Sequence, residues 1–298
     1  MSEKPVSGQP TILFAEECNS GTLREENQDS VLHVRIALGD LLIVADGIGG
    51  YPGGATASRM VVENIFAHLE ALPRDYPVGT AIRAAAAHAN ASIFAAAQAP
   101  DSPHPHMGST VVLALLQQGD DGTQAWIGHI GDSRAYLARA GRLHRLTTDH
   151  SAVQAMLSRN LITPEEAQHH PDSSVLTRSL GQKPEVEIDI EQHPLANGDT
   201  LLLCSDGLWG FIPEQDIQSV METLGLTVEA AARKLLELAL AAGGHDNIGI
   251  EIARLISPPD AAPLPKTESY LALKIVLAMV LIAFATVCVL AYLTFWSY

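Results

Sequence analysis

The chain has 298 residues and a formal net charge of −16, with 47% hydrophobic and 17% charged residues. That balance excludes a disordered chain and permits a sizeable core. The acidity argues against nucleic acid as a partner, because phosphate backbones need Lys and Arg.

The first stretch, Met1 to Gln9, is polar and lacks an apolar h-region, so no signal peptide is expected. Cys18, Cys204 and Cys288 are widely separated with no CxxC spacing, which suits neither a disulfide framework nor structural zinc and fits a reducing cytoplasm. The hexamer Arg24-Glu25-Glu26-Asn27-Gln28-Asp29 sets an arginine, the natural fork for a phosphate, five residues before an aspartate. On its own this hexamer reads better as the start of a surface helix.

Leu41 to Ala45 is an unbroken apolar run closed by Asp46-Gly47, the pattern of a buried strand followed by a turn. The glycine-rich stretch that follows, Gly47 to Gly54, lacks the GKS or GKT of a phosphate-cradling loop. From Ala55 to Leu72, Val61, Ile65 and Leu69 fall on one helical stripe, and the alanine-rich segment Gly79 to Ala99 predicts a second helix. Ala125 to Ile130 is a strand running into Gly131-Asp132. Leu201 to Ser205 repeats the strand-and-turn pattern before Asp206-Gly207. Val228 to Leu240 has helical spacing, and Asn247 to Leu255 alternates apolar residues directly after Asp246. Strands come before, between and after the helices, so the expected class is α+β rather than a regular βαβ alternation.

Asp46, Asp132, Asp206 and Asp246 share one kind of position, where an apolar strand meets a loop. Any one Asp-Gly is an ordinary turn. Four together form a candidate site, because converging carboxylates repel unless cations neutralise them. Oxygen donors without cysteine favour Mg²⁺ or Mn²⁺ over Zn²⁺.

The ordered set Arg24-x-x-Asn27-Gln28-Asp29, Val44-Ala45-Asp46-Gly47-x-Gly49-Gly50, Gly108-Ser109-Thr110, Gly131-Asp132-Ser133-Arg134, Ser205-Asp206-Gly207-Leu208-Trp209 and Asp246-Asn247 resembles the bacterial type 2C, or PPM, serine/threonine protein phosphatases. The likeness runs from about Asn19 to Leu255. It implies a four-layer α-β-β-α sandwich of two antiparallel sheets flanked by helices. It implies two Mn²⁺ or Mg²⁺ ions sharing a bridging water that attacks the phosphorus of phosphoserine or phosphothreonine directly. By position, Asp46 would bridge both metals, Gly47 would bind through its carbonyl, and Asp206 and Asp246 would complete the first metal. Asp29 would assist the second metal. Asp132, with Asp206, would hold a weaker third. Arg24 would grip the phosphate, and Asp46, Asp206 and Asp246 would be the core of catalysis. Asp149 to Gly181 resembles the flap segment of these enzymes, with Met156 and Leu157 on a short helix and Thr163-Pro164-Glu165-Glu166 opening another. One departure stands out: some relatives carry a histidine after the Asp-Gly pair, and here that residue is Ile48.

At the C-terminus, Ile275 to Trp296 carries no charge and is rich in Val, Leu, Ile, Ala and Phe, with Tyr292, Trp296 and Tyr298 near its end. At ~1.5 Å of rise per residue it is long enough for roughly 30 Å of hydrocarbon. The alternative is a buried core helix. Lys266 and Lys274 precede it and no basic residue follows, which by the positive-inside rule puts the body in the cytoplasm. The expected organisation is a tail over 1–9, a phosphatase domain over 10–256 with its flap at about 149–180, a Pro-rich linker over 257–274 and a transmembrane helix over 275–296. Expected partners are phosphorylated proteins, a serine/threonine kinase among them, and the cytoplasmic membrane through the C-terminal anchor. A catalytically dead phosphoprotein-binding module or membrane scaffold, and a metal-dependent hydrolase of small phosphoesters, are the alternatives.

Overall fold

The computed structural model describes residues 10–48, 53–119, 121–167 and 170–256. Residues Pro10–Ile256 form one compact unit. In chain order its elements are β1 (Thr11–Asn19), β2 (Asp29–Ile36), β3 (Gly39–Asp46), α1 (Gly54–Glu70), α2 (Val78–Ala97), β4 (Val111–Gly119), β5 (Gly122–Ile130), β6 (Arg134–Arg139) and β7 (Arg142–Arg145). After these come α3 (Ala152–Ser158), α4 (Pro164–Ala167), β8 (Asp189–Leu195), β9 (Thr200–Cys204), α5 (Asp206–Trp209), α6 (Glu214–Met221), α7 (Val228–Ala241) and β10 (Ile248–Ile256). The strands form two five-stranded sheets, the first ordered β2-β3-β4-β5-β8 and the second β1-β10-β9-β6-β7. Every adjacent pair is antiparallel.

The layering explains the unbroken apolar runs. Successive side chains of a strand point to opposite faces. In β3, Leu41, Ile43 and Ala45 face the helical layer of α1 and α2, while Leu42 and Val44 face the second sheet. In β9, Leu202 and Cys204 pack under α5–α7, while Leu201 and Leu203 meet the first sheet. Strands covered on both faces lose the polar alternation of a half-exposed strand. Three apolar layers therefore hold the sandwich: one between the sheets and one beneath each set of helices.

Glu251 breaks this pattern. It is fully buried, shares the inter-sheet face of β10 with Ala253, and pairs in register with Glu16 and Leu203. Its carboxylate oxygens have no hydrogen-bond partner among the described residues. Burial, and then the nearby Glu16 charge, push its pKa up to about 9, so it is neutral at pH 7.

Helix α1 buries Ala57, Val61, Ile65 and Leu69 at four-residue spacing. The small side chains of Ala81, Ala85 and Ala89 on α2 allow close packing; a Cβ at Gly128 of β5 would lie only 3.0 Å from Ile82 Cγ2. Thr163 and Glu166 form the expected capping box: Thr163 N–H donates to Glu166 Oε2 (2.8 Å) and Glu166 N–H donates to Thr163 Oγ1 (3.2 Å).

Among the described residues no helix is long and apolar enough to cross a membrane. The expected span over 275–296, the linker over 257–274 and the tail over 1–9 lie outside the described residues.

Ile65 is completely buried between α1 and the first sheet. Ile65→Ala should lower stability by about 2–5 kcal/mol. In urea unfolding the midpoint should fall at unchanged slope; an unmoved midpoint would contradict this packing.

Candidate functional site

The antiparallel register of β2 and β3 sets Asp29 directly opposite Asp46 at the open end of their hairpin. The pairing continues one step further, Gly47 N–H donating to Gln28 O (2.9 Å). The backbone of Asp46 is clamped by the Gly108-Ser109-Thr110 stretch. Thr110 N–H donates to Asp46 O (2.8 Å), and Asp46 N–H donates to Thr110 Oγ1 (3.2 Å). Gly47 has a steric reason to be glycine: a Cβ there would sit 2.2 Å from the Gly54 carbonyl oxygen at the start of α1.

Asp206 arrives from the other sheet. It stands not in a loop, as its Asp-Gly sequence suggests, but as the first residue of the short helix α5, with Ser205 at the N-cap position. The Ser205 hydroxyl donates to Asp29 Oδ2 (2.6 Å) and accepts from Gly249 N–H (2.9 Å). One small side chain thus ties together β9, β10 and the acid of β2. Gly207 passes so close to Asn247 O that a Cβ would lie 1.9 Å from it.

Asp246 stands two residues before β10. Its Oδ1 accepts from Asn247 N–H (2.9 Å), and its Oδ2 accepts from Arg24 Nη2 (2.9 Å). Asn247 pins the loop that carries Arg24: its Oδ1 accepts from Gln28 N–H, and its Nδ2 donates to Ser20 O and Glu26 O. Asp132 follows β5 through Gly131 in the left-handed region (φ 104°) and is buried.

Four of the aspartates named from the sequence, Asp29, Asp46, Asp132 and Asp206, are raised together. Desolvation comes first for each of the four, and neighbouring carboxylates add to it. Asp29 is pushed up to about 7 by burial and by Asp206 and Asp246, against the lowering effect of the Ser205 hydrogen bond. Asp132 is pushed up to about 8 by burial, Asp206 and Asp149, and Asp206 to about 6 by burial and Asp246. Asp46, surrounded by the other four, is raised well above the usual carboxylate range by burial and then by those charges. Arg24 is the cation placed to offset Asp246, Asp206 and Asp46.

The residues present fit a hard divalent cation. The donors are carboxylate oxygens, the charges are of one sign, and Asp29 Oδ1 is buried with no hydrogen-bond partner among the described residues. No three of these aspartates bring one oxygen each within 4.8 Å of one another; among the described residues the trio that meets this distance is His129, His150 and Asp189.

That trio is better explained by hydrogen bonds than by a metal. His150 Nδ1 accepts from Gly131 N–H (3.2 Å), which leaves the proton on Nε2 for Asp189 Oδ2 (3.1 Å); Arg178 Nη1, 3.2 Å from the same Nε2, donates instead to Asp189 Oδ1. A metal at Nε2 would move that proton to Nδ1, where it would face the Gly131 donor. Arg178 Nη1 already neutralises Asp189 at 2.6 Å. The His129 ring stacks on His150 at 4.6 Å, and its Nε2 lies 2.9 Å from Thr148 O. Burial lowers the His150 pKa, in keeping with a neutral ring. A surface cavity of about 560 Å³ lined by Arg74, Tyr76, Arg83 and Trp126 contains none of the five aspartates.

Sequence motifs located the acids and Arg24. The supporting parts played by Ser205, Thr110 and Asn247 emerge only from the register of the two sheets. Asp189 has no motif around it that would single it out.

The sequence profile of the family Protein phosphatase 2C matches residues 23–241. Serine/threonine protein phosphatase PstP of Mycobacterium tuberculosis is 36% identical over 248 residues, covering 82% of this chain and 45% of PstP. The chain thus spans about half the length of PstP. Protein phosphatase PhpP of Streptococcus pneumoniae is 36% identical over 241 residues, covering 79% of this chain and 94% of PhpP. Among solved structures, the catalytic domain of PstP in complex with two manganese ions superposes with a TM-score of 0.71 at 33% identity, covering 83% of this chain and all (100%) of that one. Stp1 of Staphylococcus aureus superposes with a TM-score of 0.76 at 28% identity, covering 85% of this chain and 99% of that one.

The raised carboxylates make a stability prediction. A folded-state pKa above the unfolded value of 3.8 means that folding takes up protons, so stability present at low pH is lost as pH rises through about 7 to 8. The histidines with lowered pKa, His33 and His150, act in the opposite sense only below 6.5. With chelator, the Tm should therefore fall between pH 6.5 and 8, and added Mn²⁺ should raise it more at pH 8 than at 6.5. A chelated Tm that rises over this interval would contradict the clustering.

Proposed function

The chain belongs to the protein phosphatase 2C family, and from that premise we propose that it is a metal-dependent phosphatase of phosphoserine and phosphothreonine in proteins. The observation that carries the reading is the meeting of Asp29, Asp46, Asp132, Asp206 and Asp246, drawn from both sheets, with Arg24 beside them.

In this reading Asp46, with the Gly47 carbonyl, would be shared by two Mn²⁺ or Mg²⁺ ions. Asp206 and Asp246 would complete the set for the first, Asp29 would assist the second, and Asp132 with Asp206 would hold a weaker third. The ions supply a water acidic enough to attack phosphorus near neutral pH and offset charge on the phosphoryl oxygens. Arg24 orients the phosphate through its planar fork. The hairpin register and the Thr110 clamp hold Asp46 in place, so its carboxylate needs little reorganisation during the reaction. Ile48 has no proton to give, so the leaving alkoxide takes its proton from water or another group. Neither described cysteine takes part: burial pushes the Cys204 thiol up beyond the ordinary range and the Cys18 thiol up to about 11, which leaves both un-ionised at neutral pH.

The uncharged segment 275–296 and the proline-rich stretch before it support a tethered enzyme, its catalytic body facing the cytoplasm and opposing a membrane-held serine/threonine kinase. Two partners confined to one membrane meet at raised effective concentration.

Two experiments test this reading. Asp46→Asn should lower kcat on a phosphothreonine peptide by roughly 10²–10³-fold, and chelator should abolish wild-type activity. Full activity in either case would refute the metal mechanism, and hydrolysis of small phosphoesters in preference to phosphopeptides would refute the protein-phosphatase assignment. Deleting residues 257–298 should leave peptide hydrolysis intact while slowing dephosphorylation of a membrane-embedded phosphokinase; equal rates with and without the segment would rule out tethering.

A further inference from the structure

We propose that Arg24 and the catalytic cation compete for one atom, Oδ2 of Asp246, so that cation loading releases the guanidinium to meet phosphate. The inference rests on the metal-dependent phosphatase reading and adds an order of events to it.

The two oxygens of Asp246 are not equivalent. Oδ1 is held by Asn247 N–H at 2.9 Å, at the base of the turn into β10. Oδ2 is the oxygen left to project, and Arg24 Nη2 occupies it at 2.9 Å. Oδ1 keeps a free lone pair but is fixed by the backbone, so Oδ2 is the oxygen with freedom to turn toward a cation, and Arg24 stands on it. A guanidinium and a divalent ion drawn to the same oxygen would stand within a few ångströms of each other, and their like charges repel.

The loop around Arg24 suits such an exchange. Its backbone is fixed. Thr22 N–H donates to Gly244 O at 2.7 Å, and Asn247 holds Ser20, Glu26 and Gln28. The Arg24 side chain, by contrast, is 41% exposed, and among the described residues its guanidinium makes this one hydrogen bond. Leaving Asp246 therefore needs a change of side-chain rotamer and no movement of the chain. The guanidinium would swing from a carboxylate to a phosphate, both of which suit its planar fork. Arg24 would thus act as the internal counter-ion of the acidic cluster until a metal takes that place.

The test is a calorimetric titration of Mn²⁺ into the metal-stripped full chain, for wild type, Arg24→Gln and Arg24→Ala, with melting in chelator as the check on folding. Removing the competitor should tighten Mn²⁺ binding about two- to five-fold in both variants at low ionic strength, the scale of an exposed ion pair. The gain should shrink in high salt. Unchanged or weaker Mn²⁺ binding in the folded variants would overturn the proposal, weaker binding meaning that Arg24 braces Asp246 as a ligand. Peptide hydrolysis by wild type with Mn²⁺ separates the two levels of inference. If it persists while the variants gain no affinity, the exchange alone fails; if wild type binds no Mn²⁺, the phosphatase reading fails with it.

Discussion

Five carboxylates forced into one place are the constraint on which this molecule turns. Neighbouring charges and desolvation both oppose ionisation of Asp29, Asp46, Asp132 and Asp206, and all four are raised. No apolar packing follows from gathering them; the fold bears the electrostatic conflict. Such strain is characteristic of functional sites, where perturbed acids mark chemistry rather than stability. It is relieved in two ways that the chain itself provides or invites: Arg24 as an internal cation, and hard divalent ions for which the oxygen-only donor set is suited.

The scaffold that imposes the conflict is rigid and largely apolar. Buried strands of both sheets end together at one edge of the sandwich, and small polar side chains join those ends. Ser205 connects the acid of β2 to the backbone of β10, Thr110 locks Asp46, and Asn247 fastens the loop of Arg24. Each is well satisfied by hydrogen bonds, as buried polar groups must be. The segment from Asp149 to Gly181 is braced separately, through His150, Arg178 and Asp189. The acids and this segment therefore use different parts of the Gly131 turn: Asp132 faces the acids, while Gly131 itself holds His150.

Much of this was legible in the residues. Leu41 to Ala45 and Leu201 to Ser205 read as buried strands because both of their faces are covered. The stripe Val61-Ile65-Leu69 read as a helix because its period matches a single packed face. The aspartates declared themselves by recurring at strand ends. Sheet order and cross-strand register were not legible, since period-two patterns say which face a residue takes and not which strand lies beside it. Hence the Asp29–Asp46 pairing and the reach of Ser205 across to Asp29, 176 positions away in sequence, came only from the fold. Asp206 was misplaced in a loop because Asp-Gly signals a turn, whereas Ser205 here begins a short helix. Glu251 sat unnoticed within the alternation of β10, which gives no hint that one of its inward positions is acidic.

The most direct test of the account is anomalous diffraction from crystals of this protein soaked in Mn²⁺. The account predicts two strong peaks flanking Asp46, within ligand distance of Asp206 and Asp246 on one side and near Asp29 on the other, with Arg24 turned away from Asp246. Peaks at His129, His150 and Asp189 instead, or none beside Asp46, would contradict it.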